Sequence, residues 1–150
     1  MALSLFLHVL SVVVWVGGMF FAYMALRPVA ASVLEPPQRL TLWAGVFDKF
    51  FPWVWVSVVL ILLTGLHMLV AFGGMSAPHY ALTMLVLGIV MMLIFGHVFF
   101  APYKKLKRAV AAQDWKAGGA ALGLIRQLIG INLIIGLVTI AVVFVGRALG

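Results

Sequence analysis

Residues 3–26 read LSLFLHVLSVVVWVGGMFFAYMAL, twenty-four positions without a Lys, Arg, Asp or Glu and with a single imidazole, His8. About 20 apolar residues are needed to cross the hydrocarbon core of a bilayer as a helix, so this stretch reads as a membrane span. No Lys or Arg precedes it and no small-residue cleavage site follows, which makes it a retained span and not a removed signal peptide. Three further stretches have the same character, at about 50–72, 80–101 and 125–146. Backbone amides in lipid must be satisfied within the protein. The expected fold is therefore all-α: an antiparallel, up-down bundle of four transmembrane helices forming one domain over residues 1–150.

Composition agrees. With 66% of its residues hydrophobic and 9% charged, the chain is too apolar for a soluble domain of this length. Its lack of cysteine rules out disulfides, thiolate metal sites and cysteine nucleophiles.

The net charge of +7 is distributed in a way that reads as topology. Arg27, Arg39, Lys49, Lys104, Lys105, Lys107, Arg108, Lys116 and Arg126 lie in or beside the first and third connections, and only Arg147 lies at the other end. The positive-inside rule puts those connections in the cytoplasm and both termini, with GGMSAPHY (73–80), on the periplasmic side of a bacterial inner membrane. The basic residues then face anionic lipid, and no nucleic-acid partner is expected. The two basic connections, 28–49 and 103–119, are expected to lie along the membrane interface. Leu40, Trp43 and Phe47 share one helical face there, with Trp43 as an anchor, and the second connection extends the third span as far as Gly118-Gly119.

Ionisable groups inside spans are functional candidates. His8 and His67 each lie five residues from the outer boundary of antiparallel spans, about 8 Å deep at ~1.5 Å per residue. His97 is near the other end of its span, displaced by roughly 15 Å, with Asn132 as its expected partner. Ser11, Trp15 and Gly18 follow His8 around one helical face, and Thr64 lies beside His67. Such small and hydroxylated stripes mark protein-facing surfaces, so the histidines are expected to point inward. All three acids, Glu35, Asp48 and Asp114, are at the basic end, which leaves His8 without a carboxylate partner.

Two imidazoles without an acid suggest a metal centre. One reading is a bis-His b-type haem held by His8 and His67, with Trp15, Gly18, Ser11 and Thr64 around it and Arg147, His79 or Tyr80 near its propionates. That geometry requires spans one and two to be further apart than the ~8–10 Å of close-packed helices. The other reading is copper, with His8 and His67 joined by Met68, Met75 and His79, since thioether and imidazole suit Cu(I). His97 is a less favoured ligand under either.

The run HVLSVVVWVGGMFFAYMALRP (8–28), with His8, Trp15, Gly18 and Arg27, resembles the opening helix shared by the copper resistance D (CopD) proteins and the HemJ-type protoporphyrinogen oxidases. LTGLHML (63–69) resembles the second-helix segment of the same group, and IFGHVFFAPYKKLKRA (94–109) the third-helix histidine and basic connection of HemJ. The CopD resemblance implies copper uptake or resistance; the HemJ resemblance implies haem b and porphyrinogen oxidation. HemJ proteins carry a lysine near the start of the third helix, where this chain reads PHYALTMLV (78–86), which argues against the oxidase reaction. The combination favours a haem b-binding electron carrier working with a quinol or membrane redox partner. A copper permease is the alternative, and a structural or assembly subunit the third reading. A homo-oligomer sharing ligands across its interface is compatible with each.

Overall fold

A computed structural model describes all 150 residues, and it is entirely helical. Helix α1 (Ala2–Phe21) runs through a π-helical turn (Ala22–Leu26) into α2 (Arg27–Val33). Helix α3 (Pro36–Ala71) follows after a two-residue break, and a 3-10 turn (Gly74–Ser76) leads into α4 (His79–Phe100). Helices α5 (Pro102–Ala111) and α6 (Trp115–Leu149) complete the chain. Four helical segments are long and apolar enough to cross a membrane: Ala2–Val33, Pro36–Ala71, His79–Ala111 and Trp115–Leu149. Each contains one of the expected spans.

The bends follow from local chemistry. Pro36 and Pro37 start α3, where the first turn needs no amide donor. Pro102 follows the bend at Ala101 between α4 and α5. Gly73 and Gly74 take positive φ at the turn after α3, a conformation that a side chain would oppose. Asp114 caps α6 by accepting the Ala117 amide at 3.2 Å.

The two basic connections differ from expectation. At ~1.5 Å per residue, α3 is about 54 Å long, well beyond a ~30 Å hydrocarbon core. Residues 36–49 therefore continue the transmembrane helix and protrude. Leu40, Trp43 and Phe47 do share a face, but that face is buried against other helices and is not an interfacial anchor. Helix α5 ends at Ala111, and Gly118 and Gly119 lie inside α6. A Cβ at Gly118 would stand 3.2 Å from Leu40 Cδ1, so this glycine allows α6 and α3 to approach. The protruding ends of α3 and α6, with α2 and α5, form a helical head at the basic end.

Helix α1 packs chiefly on α3, and α4 on α6; α6 also meets α1, α3 and α5. Within the core, Phe47 and Phe51 stack with centroids 4.8 Å apart and Phe95 meets Phe51 edge-on at 5.3 Å. Each such aromatic pair adds about 0.5–1.5 kcal/mol beyond simple burial. Leu and Val side chains around the outside are left for lipid.

One polar cluster ties α5 to α3. The Tyr103 hydroxyl donates to Asp48 Oδ1, and Lys107 Nζ lies 3.0 Å from the same oxygen. Tyr103 first and Lys107 second hold the Asp48 carboxyl below the usual carboxylate range. Burial, then Asp48, pushes the Tyr103 phenol upward, so it remains a donor. A depressed folded-state pKa stabilises above the unfolded value and ceases to do so as pH falls through the folded one. Tyr103→Phe is accordingly expected to melt below wild type at neutral pH, with the gap closing below about pH 4. A gap that does not change between pH 7 and 3 would assign the tyrosine's contribution to packing alone.

Candidate functional site at the histidine seam

The antiparallel pairing of α1 and α3 places two polar rungs near the end that carries both chain termini. His8 Nδ1 lies 3.0 Å from Thr64 Oγ1, and Ser4 Oγ lies 2.8 Å from His67 Nδ1. Four polar residues, at i and i+4 on α1 and at j and j+3 on α3, thus meet across one seam. The equal depths expected for His8 and His67 are what make these rungs adjacent.

The Thr64 hydroxyl fixes the chemistry of His8. It donates its one proton to the Leu60 carbonyl, 2.5 Å away and one turn back on α3. Having no second proton, it accepts from His8, whose Nδ1 must carry the hydrogen. The Nε2 lone pair of His8 is therefore left for a metal ion or a proton. Histidines that ligate metals are commonly oriented in this way, through the second ring nitrogen.

Other expected site residues fall into place around this seam. Ser11 and Trp15 are buried on the His8 face, and Trp15 packs edge-on against Phe95 with centroids 6.2 Å apart. Gly18 faces the Phe50 ring, which a Cβ would strike. Met68 is buried one turn beyond Thr64 on α3. Met75 and His79 are exposed at the same end of the bundle, in and just after the turn that follows α3. Arg147 is exposed in the last turn of α6, where a cation complements the helix dipole. The close approach of Gly146 to Tyr80 holds that turn against the start of α4.

Two expectations are corrected. Of the span histidines, only His8 is partly buried; His67 and His97 are exposed on the flanks of α3 and α4. Nor does Asn132 meet His97: it is buried and donates to the Met91 carbonyl at 3.2 Å. Helix α4 is apolar all round, so its periodicity carried no information about which face meets protein. Sequence reasoning also missed Ser4. The spacing in SLFLH (4–8) against TGLH (64–67) is the signal that finds it.

A haem sandwiched between His8 and His67 does not fit this seam. Both Nδ1 atoms are bonded across to the facing helix, and a Cβ on Gly65 would stand 3.4 Å from His8 Cε1. The ring lies against the α3 backbone, and no macrocycle-sized gap separates the two helices. No group of three or more His, Cys, Asp or Glu side chains gathers anywhere in the chain. Any copper site would therefore combine at most two imidazoles with thioether sulfur.

Four long apolar helices, with charge concentrated at one end and three of the four imidazoles near the other, define a multi-pass helical membrane protein. The family model for copper resistance protein D matches residues 44–145, more than half of the chain, and the chain belongs to that family. The match runs from α3 into α6 and includes His67, Met68, Met75, His79 and His97; α1 with His8 lies before it. No curated protein and no solved structure matches the chain.

Proposed function

We propose that this protein handles copper in a bacterial inner membrane, taking the ion as substrate at the end of the bundle that carries both termini. Membership of the copper resistance protein D family carries the reading. The chemistry of the seam supports it: imidazole and thioether donors suit Cu(I), and the Thr64 hydroxyl leaves His8 Nε2 bare. In this reading His8 and His67 are the principal ligands and Met68 a third, while Met75 and His79 collect the ion from the periplasm. A site with so few donors holds copper loosely enough to hand it on. The positive-inside rule sets the orientation, with the basic head in the cytoplasm.

Copper measurements test the proposal against its alternative. Purified protein is expected to take up Cu(I) in a fixed ratio, and cells expressing it to differ in copper content from cells carrying an empty vector. A stoichiometric Soret band in protein prepared with full haem supply, together with no Cu(I) uptake, would replace copper by haem b and make the protein an electron carrier. Neither copper nor haem, with unchanged cellular copper, would leave the reading of a structural subunit.

A further inference from the structure

The basic head contains a cavity of about 370 Å³ between α2, the start of α3 and the start of α6. Three arginines line it, Arg27, Arg39 and Arg126, together with Tyr23, Trp43 and Trp115, and no Asp or Glu does. They come from three different helices, so the fold, and not local sequence, brings them together.

These guanidinium groups have no anionic partner within the chain. The single ion pair is Lys107 with Asp48, and Asp114 is occupied in capping α6. Arg27 donates from Nε to the Tyr23 carbonyl at 3.1 Å and stacks over the Tyr23 ring at 4.4 Å. Arg39 makes one long bond to the Ala31 carbonyl, 3.4 Å, and Arg126 makes none. Since each guanidinium has five N–H donors, most of them remain free around the cavity. The α6 wall includes Gly119 and Gly123, and a Cβ at either would meet nothing within 4 Å. The cavity is within the size range of small-molecule sites.

Topology alone does not account for this arrangement. The positive-inside rule is satisfied by lysines on a surface, as by Lys104, Lys105 and Lys107 on α5, which are exposed. Arginine is the side chain suited to planar, two-pronged recognition of phosphate oxygens. Here three surround one concavity whose other walls include the aromatic rings of Tyr23, Trp43, Phe47 and Trp115.

We propose that this cavity binds a phosphate-bearing anion, with the phosphate held by Arg27, Arg39 and Arg126 and its organic part lying against Trp43 and Trp115. At the membrane interface two sources carry that chemistry: the headgroup of an anionic phospholipid, and a soluble phosphate from the cytoplasm. The site is at the opposite end of the bundle from the histidine seam and does not depend on what the seam binds.

The test uses the full-length protein, purified in neutral detergent and reconstituted into nanodiscs of phosphatidylcholine with or without cardiolipin. Native mass spectrometry then counts the anionic lipid retained after extraction. A lipid ligand predicts retention by wild type and a drop of about tenfold in Arg126→Gln and Arg39→Gln, the scale of one lost charge-assisted hydrogen bond. The double variant Lys104→Gln, Lys105→Gln should retain wild-type levels. A soluble ligand predicts no selective retention, but a rise in melting temperature with millimolar inorganic phosphate or glycerol 3-phosphate that Arg126→Gln abolishes. Arg126 is exposed and makes no bond within the chain, so its replacement leaves folding intact; Arg126→Lys keeps the charge and should fall between. Equal lipid retention by all variants, with no phosphate effect on wild type, overturns the proposal.

Discussion

Gly136→Leu is expected to prevent stable assembly of the bundle, while Gly17→Leu is expected to be tolerated. Gly136 is buried on α6 where that helix meets α1 and α4. A Cβ built there would lie 3.1 Å from Met91 Cε on α4 and 3.1 Å from Val16 Cγ2 on α1. The methionine tip is flexible enough to yield a few tenths of an ångström, but valine is stiff about χ1 and the helix behind it must move. Alanine therefore costs little at this position, because its gain over glycine in helix propensity, about 1 kcal/mol, offsets the crowding. Leucine adds three more carbons with no space to enter. Overpacking of this kind costs about 1–3 kcal/mol or more. The loss is serious in lipid, where close packing and not hydrophobic burial holds helices together. Gly17, one position along from the inward face of α1, has nothing within 4 Å of its would-be Cβ and serves as the control. Unfolding by sodium dodecyl sulfate, followed by circular dichroism and size-exclusion profile, reads both variants. A monodisperse Gly136→Leu protein with the wild-type midpoint would remove the three-helix junction from the account.

How much of this was legible in the sequence depends on what each signal measures. Hydropathy located all four spans, because a lipid-facing helix must be apolar over about 20 residues. It is silent on how far those helices continue into water: the apolar span begins near residue 50, whereas the helix that carries it begins at Pro36. The spacing of Leu40, Trp43 and Phe47 identified their common face correctly, but periodicity specifies a face and not its partner. A buried stripe in the head and an interfacial stripe look alike. Rise per residue was enough to match His8 and His67 in depth. Their actual partners, Thr64 and Ser4, depended on which helices pack side by side, and loop lengths do not decide that. The arginine cavity was hidden for the same reason: Arg27, Arg39 and Arg126 are remote in sequence, and each taken singly is a topology signal.

His8→Ala is expected to lower Cu(I) affinity more than any other single change at the seam, and Thr64→Val to show why. If His8 Nε2 is a ligand, alanine removes the donor atom, and with at most two imidazoles available the remaining site has no ready substitute. Thr64→Val keeps the shape but removes the acceptor for His8 Nδ1–H, 3.0 Å away. The imidazole is then free to rotate and to exchange tautomers, so part of the population presents N–H where the ion needs a lone pair. Loss of such an orienting partner typically costs about 10–100-fold in metal affinity, and the His8→Ala effect should exceed it. Thr64→Ser retains the hydroxyl and should bind nearly as wild type. His67→Ala, at an exposed position, should weaken binding less than His8→Ala does, whereas His97→Ala, at the far end of α4, should not weaken it. Competition against a Cu(I) chelator gives the affinities, and imidazole nitrogen NMR gives the tautomer: Nδ1–H alone in wild type, a mixture in Thr64→Val. Wild-type affinity in His8→Ala would remove His8 from the site. Wild-type affinity in Thr64→Val, with His8 still required, would show that the backbone packing of the ring, and not the Thr64 hydroxyl, presents Nε2 to the metal.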